Sequence, residues 1–248
     1  MRATDALSLL AGARLSYWKT RSLELRPYTV TDERRYSSEF TPYAGLVYEI
    51  TPQISAYGSY TEIFNPQSAK DVNGVLLDPE EGNNVEIGLK RQWLNGRLNA
   101  SLAAFRTRKD NLAVKDGNNT TPDGEQAYVA VDGTKGTGWE LEVAGELARG
   151  LQLQGGYTHF RRKDSAGLPL DTEQPVRLFK LFASYRLPAM PRLTLTAGMR
   201  WQSRTFESRR GAPISARHII DSYAIWNAGL RYDFSDRVNL SLLVSKLT

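Results

Sequence analysis

Gly82-Asn83-Asn84-Val85-Glu86-Ile87-Gly88-Leu89-Lys90-Arg91-Gln92-Trp93-Leu94-Asn95-Gly96-Arg97-Leu98-Asn99-Ala100-Ser101-Leu102-Ala103-Ala104 holds two runs of period two around one Asn-Gly pair. Val85, Ile87, Leu89 and Trp93 alternate with Glu86, Gly88, Lys90 and Gln92. Leu98, Ala100, Leu102 and Ala104 alternate with Asn99, Ser101 and Ala103. Successive side chains of a strand point to opposite faces, so each run is a strand with one apolar and one polar face. Asn-Gly between such runs is a strong hairpin signal, because a type I′ turn needs positive φ at both central residues. The spacing predicts a two-residue turn at Asn95-Gly96, then a polar loop over 110–136 and a third strand containing Trp139, Leu141 and Val143.

The same grammar extends in both directions. Upstream, Leu7, Leu9, Ala11, Ala13, Leu15 and Tyr17 alternate with Ser8, Gly12, Arg14 and Ser16. A polar stretch, 19–38, follows and reads as a connection; Phe40, Ala44, Leu46 and Tyr48 form the next strand, reversed at Thr51-Pro52 into 54–61. Residues 62–81 form a long loop rich in Asn, Asp, Pro and Gly. Downstream, the chain reverses at Arg149-Gly150, loops over 161–174, reverses at Pro188-Ala189-Met190-Pro191, crosses a basic loop over 204–221 and reverses again at Ser235-Asp236. About eleven strands result, with short and long connections strictly alternating.

That alternation bears on the solvent. A soluble sandwich has no reason to put every short connection at one end of its strands, whereas a transmembrane barrel has short turns on one side and long loops on the other. Runs of roughly nine to twelve residues match a tilted membrane strand better than a globular one. The 248 residues are 41% hydrophobic with no apolar run long enough for a membrane helix, but a barrel escapes that test because only alternate residues meet lipid. Trp93, Trp139, Tyr157, Tyr185, Trp201, Tyr232 and Phe234 fall near strand ends on the apolar face, as an interfacial girdle would. Glu140, Glu142, Glu146, Lys180, Arg186 and Arg200 fall on the other face, which must therefore be wet. The expected fold is all-β: an antiparallel transmembrane meander occupying residues 1–248 as one domain. A soluble β-sheet binding protein and a passive porin-like channel are the alternatives.

Catalysis finds no support. With no cysteine there is no thiolate site or disulfide framework, and His159 and His218 lie in different segments. Glu140/Glu142 and Asp78/Glu80 are pairs two residues apart that read as solvated carboxylates. Asp116, Asp123 and the neighbouring Asn residues read as an Asx-rich loop, because their spacing does not fit an EF-hand. A net charge of +5, scattered along the chain, gives nucleic acid no footprint. The first residues lack the apolar segment of a signal peptide.

Phe40-Thr41-Pro42-Tyr43-Ala44-Gly45-Leu46-Val47-Tyr48, Tyr57-Gly58-Ser59-Tyr60-Thr61-Glu62-Ile63-Phe64-Asn65-Pro66-Gln67, Leu77-Asp78-Pro79-Glu80-Glu81-Gly82, Gly138-Trp139-Glu140-Leu141-Glu142 and Tyr185-Arg186-Leu187-Pro188 come in an order and spacing that resembles the barrel of TonB-dependent ferric-siderophore receptors of the ferripyoverdine and ferric-coprogen type. The resemblance implies a 22-stranded barrel of which this chain supplies about eleven strands, the C-terminal half less its final strand. It also implies a plug and a TonB box, both outside this sequence, and a place in the outer membrane among lipid and lipopolysaccharide. The implied ligand is a ferric siderophore, with iron entering only as part of that chelate and no cofactor of the protein's own. Such a chelate is recognised from outside by aromatic faces and by hydrogen-bonding or cationic groups. Loop and upper-lumen candidates are Tyr36, Phe64, Gln67, Tyr128, Phe160, Arg161, Arg204, Phe206 and Tyr223. The basic loop Arg204, Arg209, Arg210 and Arg217 is suited to an anionic chelate or to lipopolysaccharide phosphate.

Overall fold

The computed structural model describes the backbone of residues 5–25, 28–170, 173–206 and 219–247, and the side chains of these residues except 22–25, 28–32 and 247. The described elements are all strands: β1 (Leu7–Leu25), β2 (Tyr28–Thr51), β3 (Ile54–Asn65), β4 (Glu80–Trp93), β5 (Leu98–Asp110), β6 (Leu112–Thr120), β7 (Gln126–Val131), β8 (Thr134–Ala148), β9 (Leu151–Lys163), β10 (Pro169–Leu170), β11 (Arg177–Arg186), β12 (Leu193–Gln202), β13 (Thr205–Phe206), β14 (Ile219–Ile220), β15 (Tyr223–Ser235) and β16 (Val238–Leu247). Eleven of them form one antiparallel wall in the order β1-β2-β3-β4-β5-β8-β9-β11-β12-β15-β16, with β10 attached to β9. The small pairs β6-β7 and β13-β14 stand apart from it.

Burial in this wall is inverted relative to a soluble protein. Between Val85 and Leu89 on β4 the exposed residues are the apolar ones, with Ile87 63% accessible, while Glu86 and Gly88 on the other face are half-buried. Leu102, Leu141, Trp226, Leu240 and Leu242 are likewise exposed. The buried apolar side chains among the described residues are Phe64, Leu76, Leu112 and Ala127, none in the middle of the wall. A sheet of this size with its greasy face outward is at rest only in hydrocarbon, where each backbone N–H and C=O must find its partner in a neighbouring strand. The ladders from β2 through β15, with slips at Glu49/Thr51 and Glu146/Ala148 beside the short reversals, supply those partners.

Three expectations need correction. The stretch 19–38 is not a loop: β1 and β2 remain paired from Leu7↔Tyr48 to Leu25↔Tyr28, so the hairpin stands far above the band of apolar alternation. Outside hydrocarbon no apolar alternation is required, and cross-strand charge supports the ladder instead, as in the Lys19–Glu33 pair at 2.7 Å. Residues 110–136 likewise contain the β6-β7 hairpin. Asn95-Gly96 is not a two-residue turn either. The strands end at Trp93↔Leu98, and Leu94, Asn95 and Gly96 all have positive φ, at 53°, 57° and 83°. Gly96 N–H bonds the Trp93 carbonyl at 3.1 Å and Arg97 N–H the Leu94 carbonyl at 3.4 Å, so two turns overlap. The long-loop ends nevertheless all lie opposite the short reversals, as expected.

Leu94 holds a left-handed conformation with its side chain exposed. Leu94→Asn should therefore stabilise the folded protein by about 1 kcal/mol, and Gly96→Ala should destabilise it by a similar amount. Urea unfolding of the detergent-embedded protein measures both.

Candidate functional site

The inward face of the wall carries the polar alternation. Adjacent registers place Asn84, Glu86 and Gly88 of β4 beside Thr107, Phe105 and Ala103 of β5, and these beside Gly136, Gly138 and Glu140 of β8. Glu140 and Gly138 in turn pair with Thr158 and Phe160 of β9. A recess of about 430 Å³ opens here, lined by Asn84, Glu86, Phe105, Thr107, Glu140, Thr158 and Phe160. Thr107 Oγ1 donates to Asn84 Oδ1 at 2.8 Å, and the Tyr57 hydroxyl donates to Glu86 Oε1 at 2.7 Å, with Lys90 Nζ 5.1 Å from the Tyr57 ring centre. Phe105 stacks on Phe160 at 5.8 Å, and the Arg162 guanidinium lies 5.4 Å from the Phe160 ring. The recess offers carboxylates, hydroxyls and an aromatic step, suited to the donor-rich outside of a polar organic ligand.

Glycines keep these rings flat against the wall. Tyr43 stands opposite Gly12, Tyr57 opposite Gly88 and Phe105 opposite Gly138. In each pair the ring covers its glycine so closely that a Cβ there would lie 2.3, 2.4 or 2.6 Å from a ring or hydroxyl atom. A cross-strand aromatic thus fills the space a glycine leaves, and the ring does not project into the lumen.

Above the wall, the loops form a small packed layer. Beyond the Tyr43↔Thr61 pair, β3 leaves β2, and its end passes behind the β1-β2 hairpin. Arg14 donates to the Phe64 carbonyl at 3.2 Å, Arg34 to Asp78 at 3.0 Å, and Tyr36 closes edge-on against Phe64 at 5.8 Å and lies tilted against Trp18 at 5.6 Å. Tyr36 reaches this side through a bulge. The register slips between Ser16 and Trp18, opposite Ser38 with φ of 65°, which reverses the facing of β2 from Tyr36 as far as Asp32, where a second slip between Ser22 and Leu23 restores it. Gln67 Nε2 donates to the Asn111 carbonyl at 2.8 Å and also to that of Asp78. Tyr128 N–H bonds the Lys70 carbonyl at 2.8 Å, tying β7 to the 66–79 loop. Where β5 passes into β6, Gly133 N–H bonds Asp110 at 2.6 Å and Asn111 N–H bonds Asp132 at 2.8 Å.

The structure thus brings together Tyr36, Phe64, Gln67 and Tyr128 in the loop layer, where Phe64 is buried and Gln67 pins two backbone segments. Phe160 belongs to the inward recess, whereas Arg161, the next residue, faces outward with Tyr157 and His159. Arg204 is exposed, Phe206 pairs with Ile219, and Tyr223 pairs with the buried Gln202 at the loop end of β15. Arg209, Arg210, Arg217 and His218 lie outside the described residues. His159 stacks on Trp139 on the outward face at 6.4 Å. Asp116 accepts from Asn119 at 2.9 Å and Asp123 lies 3.7 Å from Lys70; among the described residues no group of three or more His, Cys, Asp or Glu could hold a metal ion. Sequence reading missed Phe105 and Glu86 as recess residues, and Arg162 over the Phe160 ring beside them. Their polar-face alternation was visible, but their convergence depends on registers across four strands.

The family model for the TonB-dependent receptor-like β-barrel matches residues 1–245. The chain belongs to this family. It is 39% identical over 247 residues to the ferric-pyoverdine BN7/BN8 receptor of Pseudomonas putida, covering 96% of this chain and 29% of that protein. It is 35% identical to the ferripyoverdine receptor of Pseudomonas aeruginosa, covering 98% of this chain and 30% of that one. The crystal structure of the ferripyoverdine receptor of the outer membrane of Pseudomonas aeruginosa bound to ferripyoverdine superposes with a TM-score of 0.80 at 34% identity, over 99% of this chain and 33% of the receptor. The chain therefore spans about 30% of the length of the relatives it matches. For a TonB-dependent receptor the inverted burial is the ordinary condition of a barrel wall: lipid outside, water inside, loop layer above.

Gly138→Ala should displace Phe105 and meet the His159 carbonyl, 2.5 Å from the added Cβ. Overpacking of this kind costs roughly 1–3 kcal/mol, and the fraction running as a compact barrel on unheated SDS gels should fall. The loop layer carries its own pH dependence. Asp71 accepts hydrogen bonds from the Val75 and Asn73 N–H groups at 2.8 and 2.9 Å, and the Val75 bond is the main cause that holds its carboxyl below the ordinary range. A lowered folded pKa contributes order that is present above the unfolded value and lost as pH falls through the folded one. Amide exchange at Val75, corrected for intrinsic rate, should accelerate below about pH 4 and should lose that pH dependence in Asp71→Asn.

Proposed function

We propose that this chain forms half of the barrel wall of an outer-membrane receptor that takes up a ferric siderophore with energy delivered through TonB. The observation that carries the reading is an eleven-stranded wall, apolar outward and polar inward, that matches ferric-pyoverdine receptors over nearly its whole length. Among the described residues β1 and β16 are each paired on one side only, and a wall in lipid needs both edges covered. In this reading the further strands come from the rest of the receptor's length, of which the chain spans about 30%.

The ligand is a ferric chelate of the pyoverdine class, approached first by the loop layer and then by the inward recess. Tyr36, Tyr128, Arg204, Phe206 and Tyr223 offer aromatic and cationic contacts on the way in, and Phe160 with Phe105 offers a stacking step on the wall. Phe64 and Gln67 contribute by holding the loops in place. The barrel guides and binds, and no covalent chemistry is assigned to it.

Cells lacking their own pyoverdine receptors and expressing the intact protein should accumulate radioactive iron from ferripyoverdine, and should cease to do so when TonB is deleted. Uptake that persists without TonB would point instead to a passive channel. Phe160→Ala should weaken chelate binding by about tenfold, the order expected for losing one stacked aromatic, with barrel assembly unchanged.

A further inference from the structure

The outward face above the aromatic girdle holds a concentration of positive charge that uptake does not use. Register places Arg108 of β5 directly beside Lys135 of β8, and Lys135 beside Lys163 of β9. One row nearer the membrane, Arg106 and Arg161 flank Thr137. One row lower still, Arg177 of β11 stands beside His159, which stacks on Trp139. The alternation that sends Leu102, Leu141, Tyr157 and Phe179 to lipid sends these six cations the same way. All six are exposed. Among the described residues none of them has a carboxylate or a side-chain hydrogen-bond partner, although other cations nearby do, such as Lys109 with Glu80 at 2.6 Å.

Strands stand about 4.8 Å apart and successive outward residues about 7 Å, so six like charges share a patch roughly 15 Å across. Left alone they repel one another and destabilise this corner of the sheet. Among the described residues the nearest outward carboxylates on β4 and β5, Asp110 and Glu81, stand a row above at one flank, and Asp110 is engaged with the Gly133 amide. The described residues therefore do not neutralise the patch. The apolar rows below fix its depth at the headgroup level of the leaflet on the loop side, with Trp139 level with its lowest row and Tyr157 immediately beneath. Phosphate oxygens meet Arg and Lys in charge-assisted bonds, and guanidinium forks suit them especially.

We infer that the outward face of β5, β8, β9 and β11 is a binding site for the phosphates of a lipid headgroup of the lipopolysaccharide class. The inference rests on the outer-membrane placement proposed above, and it moves the phosphate contact away from the basic loop at 204–217. Arg161 thereby acquires a role on the lipid side of the wall.

The intact protein, purified in detergent and freed of lipid, is titrated with purified lipopolysaccharide, with the same material after chemical removal of its phosphates, and with inorganic phosphate as competitor. Removing the upper row with Arg108→Gln/Lys135→Gln/Lys163→Gln should weaken binding by roughly fivefold per charge. Arg108→Lys should stay within a few-fold of wild type, and the inward-facing pair Lys180→Gln/Arg200→Gln should leave lipopolysaccharide binding unchanged. Gel mobility without heating reports that each variant is assembled. Equal binding by wild type and the triple variant overturns the inference, as does equal binding of the dephosphorylated lipid. Displacement by millimolar inorganic phosphate overturns it too, since that marks a site for free anions. Ferripyoverdine binding is measured on the same samples; its absence in the wild type would overturn the receptor reading while leaving the lipid result to stand by itself.

Discussion

Everything in this structure depends on the hydrogen-bond ladder between neighbouring strands. In hydrocarbon an unpaired N–H or C=O costs several kcal/mol, so the chain must deliver every residue of each crossing strand to a partner on both sides. Regular registers from β2 to β15 accomplish this. Once the ladder is fixed, the side chains have no freedom of facing. A single parity decides which residues meet lipid and which meet water. The recess at Phe105 and Phe160 and the outward cations at Arg106 and Lys135 are two readings of that parity on the same strands.

The ladder also explains why inward aromatics sit beside glycines. A wall whose lumen must stay open cannot accept large rings standing upright, and a strand whose glycines face a void is poorly supported. Laying Tyr43 over Gly12, Tyr57 over Gly88 and Phe105 over Gly138 answers both demands at once. Glu86 can then hold the Tyr57 hydroxyl, and the step formed by Phe105 and Phe160 is fixed by packing. Preorganisation here comes from absent side chains as much as from those present.

Much of this was legible from the residues. Alternation in Val85, Ile87 and Leu89 against Glu86 and Gly88 announced the wall and its facing, and the order of short and long connections announced the meander. Three kinds of feature were not legible. A bulge at Ser38 changes the facing of Arg34 and Tyr36 without any mark in the alternation. Strands that leave the membrane, such as the upper halves of β1 and β2, lose the apolar period and read as loop. The turn after Trp93 recruits Leu94 into a left-handed conformation that a leucine does not advertise. Site residues suffered most, because Phe160 and Arg161 are adjacent in sequence and lie on opposite sides of the wall. Only register separates one from the other.

The small set of buried side chains Leu76, Leu112 and Ala127 lies in the loop layer with the buried Thr121, next to Thr134 at the start of β8. It is held by the ordinary hydrophobic effect in water, while the wall beneath is held by hydrogen bonding in lipid. One polypeptide is therefore governed by two solvents, with Asp110, Asn111, Asp132 and Gly133 as the seam between them. The β6-β7 hairpin can change its sequence, or even its length, under the rules of a soluble miniature domain, and the wall will not register the difference as long as the seam is kept. Sequence change in the loop layer is then uncoupled from the constraints on the membrane portion.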